Sequence, residues 1–315
     1  MISKVYRKIF RIVQRFLNQK HCYDYPSQNN GWNKSETSPV IGNRQTGSLF
    51  DPFVMCCLNK FVMFVSERKH GVVLRVTSND GVAWNDNYVS LKGRPNKWDN
   101  IVNRCCVIEH SGIWKMWYTG QYMGKSCIGY CESIDGLSFK RVADEPVLIS
   151  EYVHEGVSVM NPCVLWDYEK KIFQMWYSAG ETYEPDVICY AESKDGINWI
   201  KNEKPVLIAD KSHEWEKYKV GGCSVIKGDD GLYRIFYIGY QNLDVARICD
   251  AVSLDGIVWE RSDNNLLLSP SKNSWDSDAV YKPSVVIQKD KLYMWYNGRR
   301  DHEEYIGIAT KSNKN

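Results

Sequence analysis

Short apolar runs, separated by polar turns that contain glycine, recur along this chain from about residue 50 to its end. Five of these runs are dominated by aromatic and β-branched residues: "FVMFVS" from Phe61, "WKMWYTG" from Trp114, "FQMWYSAG" from Phe173, "YRIFYIGY" from Tyr233 and "YMWYNGRR" from Tyr293. Composition and bounding residues of this kind predict strands. Each is preceded by a shorter apolar run: "DPFVMC" from Asp51, "RCCVIE" from Arg104, "NPCVLW" from Asn161, "GCSVIK" from Gly222 and "KPSVVI" from Lys282. A third strand follows, as in "CIGYCES" from Cys127 and "VICYAES" from Val187. Four of the units then run into one turn sequence, "SNDGVAW" from Ser78, "SIDGLSF" from Ser133, "SKDGINW" from Ser193 and "SLDGIVW" from Ser253. The Asp-Gly pair suits a tight turn into a fourth strand, because glycine takes positive φ without steric cost.

The glycines at 81, 136, 196 and 256 are too far apart for a simple meander and suit a repeating blade. Four antiparallel strands repeated five times predict an all-β, five-bladed β-propeller. The fifth unit stops after "YIGIATKS" from Tyr305, without a fourth strand. The segment "GWNKSETSPVIG" from Gly31 resembles "GINWIKNEKPVLIAD" from Gly196, with Trp32 in the place of Trp199 and Pro39-Val40 in that of Pro205-Val206. The N-terminal strand is therefore expected to close the ring and remove the exposed sheet edges.

Composition changes this picture little. A chain of 315 residues that is 43% hydrophobic is ordinary for one closed β domain. The eleven cysteines are odd in number, several fall inside predicted strands (Cys105, Cys106, Cys163, Cys223), and none has zinc spacing. They read as small buried hydrophobes in a reducing, cytoplasmic compartment, with no structural metal and no cofactor expected.

Charge patterning sets the N-terminus apart. Residues 1–22 form a separate element ahead of a propeller domain at 23–315. In the first twenty residues Lys4, Arg7, Lys8, Arg11, Arg15 and Lys20 interleave with Ile2, Val5, Ile9, Ile12, Val13, Phe16 and Leu17 at helical spacing. That is a basic amphipathic helix, which packs on the propeller or lies peripherally on an anionic membrane surface. The chain carries a formal net charge of +2. Without the basic segment the remainder is acidic, and no nucleic-acid surface is expected on it.

If the first strand of each blade starts at one face, five strand heads converge there: Asp51, Arg104, Asn161, Gly222 and Lys282. Ionisable groups at such an axial mouth make a candidate polar pocket. The loops on that face add Arg299, Asp99 and Glu155.

"LFDPFVM", the "SxDGxxW" turns, the "PVL" segments after them and the "WYNGRR…YIGIAT" ending resemble the five-bladed propellers of glycosidase families: arabinanases and β-xylosidases, invertases and levansucrases, and mannoside phosphorylases. The resemblance covers nearly the whole chain after about residue 30. It implies a carbohydrate substrate and, for Asp51 in "FDP", the role of base or nucleophile. The arabinanase pattern places further acids where this chain has Asn161 and Gly222, and the invertase pattern where it has Arg104 and Asn161. Glycoside cleavage by two flanking carboxyl groups then needs an acid from a loop, and Glu155 of "HEGVSVMNP" is the first candidate, ahead of Asp99 and Asp278. Arg104, Asn161, Lys282, Arg299 and Asp99 are the candidate substrate-binding residues. Clustered Arg and Lys either form ring ion pairs with Asp51 or meet an anionic or phosphorylated ligand. Three functions stay open: a glycan-cleaving or transferring enzyme using Asp51 and a nonstandard acid, phosphate-assisted transfer or phosphorolysis, and a noncatalytic glycan-binding propeller.

Overall fold

The computed structural model describes residues 30–42, 48–181, 185–301 and 303–313. The expected basic helix at 1–22 lies outside the described residues. Among the described residues the regular elements are all strands, apart from one short 3-10 turn at Val153–Glu155. They form five antiparallel four-stranded units. The first is β2 (Leu49–Cys57), β3 (Lys60–Glu67), β4 (Val72–Ser78) and β5 (Asn85–Lys92); the second is β6 (Ile101–His110), β7 (Ile113–Tyr122), β8 (Lys125–Ser133) and β9 (Lys140–Arg141). The third is β10 (Ser158–Asp167), β11 (Ile172–Gly180), β12 (Pro185–Ser193) and β13 (Ile200–Lys201); the fourth is β14 (Lys219–Lys227), β15 (Tyr233–Tyr240), β16 (Ala246–Ser253) and β17 (Leu266–Leu268). The fifth has β18 (Ala279–Gln288), β19 (Lys291–Arg300) and β20 (Glu303–Ser312), with β1 (Asn33–Lys34) from the N-terminal side as its outer strand. The second and third units also touch through one parallel pair, Ser126 with Ser158.

Apolar side chains sandwiched between neighbouring sheets make the core. The first strands pack side by side in the order β2, β6, β10, β14, β18, and β18 packs back on β2. Trp117, Trp176 and Trp295 on the second strands are fully buried. Each donates its indole N–H across to the next unit's Asp-Gly turn: Trp117 to the Gly196 carbonyl at 2.8 Å, Trp176 to Gly256 at 2.7 Å and Trp295 to Gly81 at 2.9 Å. This contact explains the repeated turn better than hairpin geometry alone. The turn is longer than a two-residue hairpin. In it the serine hydroxyl accepts the glycine N–H (Ser193 from Gly196, 2.8 Å), and the aspartate caps the two N–H groups that follow (Asp195 from Ile197 and Asn198, both 2.8 Å). Gly196 has φ +82°, and a Cβ there would lie 2.8 Å from the Trp117 ring. Both the backbone and the packing therefore demand glycine.

The N-terminal segment pairs with β20 through Asn33 and Lys34. Trp32 is buried against Phe236, edge to face at 6.0 Å. The Val40 N–H donates to the Ile306 carbonyl at 2.8 Å, as Val206 does to Ile188 at 2.8 Å. The side chain of Lys34 reaches Asp276 at 2.5 Å, with the carboxylate only 1% exposed.

Asp276→Asn leaves an ammonium beside a neutral amide. It is expected to cost about 1–3 kcal/mol, seen as a lower urea midpoint at unchanged slope. An unchanged midpoint would mean that the β1 contact does not hold the fifth unit.

Candidate active site

The five strand heads share one backbone feature. Asp51, Arg104, Asn161, Gly222 and Lys282 have φ of 53°, 50°, 55°, 46° and 49°, and each sits in a register shift between the first and second strands of its unit. A bulge of this kind re-aims a side chain out of the ladder. At four of the five, the N–H freed from the ladder is taken up by a side chain of the preceding unit. Asp51 N–H donates to Asn297 Oδ1 (2.7 Å), Arg104 to Ser66 Oγ (2.9 Å), Asn161 to Thr119 Oγ1 (3.0 Å) and Gly222 to Ser178 Oγ (2.7 Å).

At the ring Arg104 Nε donates to Asp51 Oδ2 at 2.9 Å, and Asp51 is only 4% exposed. The other Asp51 oxygen, Oδ1, takes no hydrogen bond from a described residue. Asn161 Nδ2 reaches Ser178 Oγ at 3.4 Å, and its Oδ1 is buried without a partner. Lys282 is 4% exposed, and its side chain makes no hydrogen bond or ion pair among the described residues. Its stem leans over Gly222, where a Cβ would stand 3.3 Å from Lys282 Cδ. Burial pushes the Cys105 thiol up to about 12, and the ammonium of Lys282 works against that rise, which marks the two groups as near neighbours.

The loop acids have a different place. Asp99, Glu155, Glu216 and Asp276 occupy matching positions just before the heads, and none is more than 1% exposed. Each accepts from the tyrosine hydroxyl of its unit's second strand and from a basic side chain, which lies on the fourth strand in three units and just ahead of it, at Arg261, in the fourth unit. Asp99 takes Tyr118 (3.0 Å) and Arg141 (2.6 Å), with Arg94 added at 2.8 Å. Glu155 takes Tyr177 (2.7 Å) and Lys201 (2.9 Å), with the Glu151 and Tyr152 N–H groups at 2.7 and 2.9 Å. Glu216 takes Tyr237 and Arg261, and Asp276 takes Tyr296 and Lys34. Burial pushes the Glu155 carboxyl up, but its backbone and side-chain donors outweigh that and hold it below the usual range. Trp98 and Trp275, each one residue before its acid, pack over the glycines of the second and third strands, whereas Trp215, before Glu216, donates its indole N–H to Asn265 Oδ1 at 2.7 Å. "KWDN", "EWEK" and "SWDS" are the sequence trace of this staple.

Other polar groups on this face fasten one unit to the next. Arg299 Nη2 donates to the Asp244 carbonyl at 2.7 Å, Lys219 pairs with Asp186 at 2.6 Å, and Arg68 pairs with Glu304 at 2.5 Å. The structure thus brings Asp51, Arg104, Asn161 and Lys282 to one ring, and it engages Glu155, Asp99 and Arg299 in contacts around that ring.

The ten described cysteines are all free thiols. The one described group of metal-type ligands, His154, Glu155 and Cys189, includes the carboxylate already held by Lys201 and Tyr177. Burial also pushes the Cys189 thiol up to about 12, so the set does not fit a metal centre. Among the described residues, no helix is long and apolar enough to cross a membrane.

Comparison with known proteins agrees with this architecture. Residues 74–220 match the Glycosyl hydrolases family 32 N-terminal domain. The chain is 28% identical over 212 residues to Uncharacterized protein Rv1502 of Mycobacterium tuberculosis (strain ATCC 25618 / H37Rv), covering 63% of this chain and 67% of that protein. It is 32% identical over 184 residues to a 1,2-beta-oligomannan phosphorylase of Thermoanaerobacter sp. (strain X514), covering 51% of this chain and 60% of the relative. Among solved structures, a thermostable family-43 glycoside hydrolase superposes with TM-score 0.70 at 20% identity, over 87% of this chain and 92% of that one. A structure from the GH130 family of mannoside phosphorylases, described as containing glycoside hydrolases that target beta-1,2 mannosidic linkages in Candida mannan, superposes with TM-score 0.68 at 14% identity, over 88% and 93%. At these identities the superpositions show the fold, a glycosidase-type propeller. Together the matches support a glycosidase-like propeller superfamily and a glycoside hydrolase- or phosphorylase-like fold for this chain.

Two stability measurements follow from these charges. Glu155→Gln is expected to lower the unfolding free energy by about 2–4 kcal/mol, because it strands Lys201 in the interior. Unchanged stability with lost turnover would instead mark Glu155 as a reacting acid. Asp250 is the opposite case: burial pushes its carboxyl up to about 6, with Lys311 pulling it down. A raised carboxyl costs nothing below the unfolded-state pKa, and its cost grows as pH rises from about 4 to 6. Asp250→Asn should therefore stabilise the protein by about 1–3 kcal/mol at pH 7.5 and by almost nothing at pH 4. Equal effects at both values, read from chemical denaturation, would contradict this.

Proposed function

We propose that this chain is a glycan-processing enzyme, that its five units are the blades of one five-bladed propeller closed by β1, and that it transfers a glycosyl group to or from phosphate at the ring of strand heads. The observation that carries the reading is Lys282: a largely buried lysine whose ammonium has no hydrogen-bond or ion-pair partner among the described residues, on the same ring as an Asp51 already paired with Arg104. A buried cation with no counter-ion is costly unless an anion arrives. With Glu155 and Asp99 held in staples, Asp51 is the only carboxylate among the five strand heads. An anion taking the place of that carboxyl fits the residues present.

The chemistry balances as follows. In cleavage, an oxygen of hydrogen phosphate forms a bond to the anomeric carbon while the glycosidic C–O bond breaks. The phosphate hydroxyl proton ends on the departing sugar oxygen. Asp51 is placed to pass that proton: Arg104 fixes Oδ2, and Oδ1 is left to hydrogen-bond a sugar hydroxyl or the phosphate. Lys282 meets the phosphate charge, which preorganised donors stabilise best in a water-poor site. Asn161 supplies an amide for a sugar hydroxyl. In synthesis the same groups work in reverse, the acceptor hydroxyl giving its proton through Asp51 as phosphate leaves. Glu155 and Asp99 take no part in these steps and serve as blade staples.

The relative named as a 1,2-beta-oligomannan phosphorylase suggests the substrate to try first. With inorganic phosphate and β-1,2-linked oligomannan, the protein is expected to release a sugar 1-phosphate, visible by phosphorus NMR. Asp51→Asn should cut the rate by about 10²–10⁴-fold, and Lys282→Met should raise the phosphate concentration needed for half-maximal rate at least tenfold. Turnover without phosphate would favour a hydrolase. Oligosaccharide binding with no turnover under either condition would favour the noncatalytic propeller, the reading supported by the sequestered loop acids.

A further inference from the structure

A cavity lies on the same end of the molecule as the strand heads but on the other face of β20. It has a volume of about 550 Å³ and is lined by Pro39, Gly42, Trp275, Arg300, Glu303 and Tyr305, with Asp301 at its edge. Side chains alternate along a strand. Glu304 turns toward Tyr281 and Arg68, so Glu303 and Tyr305 turn away from them. The cavity is therefore separate from the ring of strand heads.

Its walls are fixed by packing. Trp275 stacks on Tyr296 at 5.7 Å and covers Gly298 and Gly307, where a Cβ would come within 2.1 and 2.6 Å of the indole. Tyr305 stands perpendicular to Trp275 at 6.5 Å, and its hydroxyl donates to Glu303 at 2.8 Å. On the opposite side Gly42, at φ +93°, brings the closing segment so near that a Cβ would lie 3.2 Å from Tyr305 Cδ1. Arg300 is exposed and makes no ion pair with a described residue. Asp301 is held by its own N–H on Asp278 at 2.7 Å.

We propose that this cavity is a second carbohydrate site that takes one or two neutral pyranose units. The volume is in the range of small-ligand pockets, where a few convergent polar groups fix orientation. A half-buried tyrosine ring offers a face for the C–H side of a sugar. The Arg300 guanidinium and the Glu303 carboxylate, on paired positions beside the β19–β20 turn, put a donor and an acceptor side by side for neighbouring hydroxyls. The carboxylates and the arginine lie close together, which disfavours a strongly anionic ligand. The proposal takes its ligand class from the glycan-processing reading, whereas its geometry does not depend on the ring chemistry. Because the closing segment supplies one wall and the β19–β20 turn the other, a bound sugar also ties the N-terminal strand to the fifth unit.

The test uses the full chain carrying Asp51→Asn and Lys282→Met together, with β-1,2-mannobiose, cellobiose and maltose as separate probes. Saturation-transfer NMR should show at least one disaccharide bound to this double variant as it binds to the wild type, and that disaccharide should raise the thermal midpoint. Adding Arg300→Ala or Tyr305→Ala should weaken the binding about tenfold or more. Tyr305→Phe keeps the ring and the fold and should lose less, which guards against a variant that merely unfolds. No binding of any probe to the double variant, or binding unaffected by Arg300→Ala and Tyr305→Ala, would overturn the proposal. Absence of phosphorolysis in the wild type would bear on the ring alone and leave this result standing.

Discussion

Where each innermost strand reaches the ring, its backbone passes through a left-handed residue, and the site depends on that constraint. For a side chain other than glycine this conformation costs about 1–2 kcal/mol, and the chain accepts it at Asp51, Arg104, Asn161 and Lys282. The freed N–H groups of the first three are bound by Asn297, Ser66 and Thr119 of the neighbouring units, so the strained heads are also joints between blades. Gly222 meets the same requirement without strain. It leaves a gap on the ring that Ile238 and the stem of Lys282 share, with Ile238 Cδ1 2.6 Å and Lys282 Cδ 3.3 Å from where a Cβ would stand. The absence of one side chain thus helps to position another.

Electrostatics divides the polar residues of this face into two populations. The acids before the strand heads are withdrawn from solvent and matched by tyrosine and a cation within their own blade, which fastens the fourth strand to the second. The residues of the ring are matched incompletely: one carboxylate, Asp51, for two cations, Arg104 and Lys282. An ion pair at 2.9 Å accounts for Arg104 and leaves Lys282 to an incoming group. A site of this composition favours an anion bound beside Asp51 over a second carboxylic acid.

Much of the architecture is legible in the sequence because its causes are local and repeated. Apolar runs, the Asp-Gly turns and the likeness of Trp32 and Val40 to Trp199 and Val206 are read from order alone, and each corresponds to a strand, a turn or a hydrogen bond in the structure. The five heads are legible for the same reason, since each opens its apolar run, although the strands themselves begin two or three residues earlier. The fate of Glu155, Asp99 and Arg299 is not. A carboxylate on a loop has the same sequence signature whether it faces a substrate or a buried lysine, and only the fold brings Lys201, 46 residues further along the chain, and Tyr177 onto Glu155. The recurring tryptophan-acid pairs in "KWDN", "EWEK" and "SWDS" carried a clue: a residue type repeated in several blades serves the blade, whereas a unique one serves the site. Asp51 and Lys282 are each unique at their position among the five.

The most direct measurement is a crystal structure of the protein grown or soaked with inorganic phosphate at saturating concentration. The account predicts a phosphate with an oxygen about 2.7–3.2 Å from Lys282 Nζ, on the ring beside the Asp51–Arg104 pair. Lys282 engaged by a carboxylate of the protein, with no anion on the ring, would contradict it.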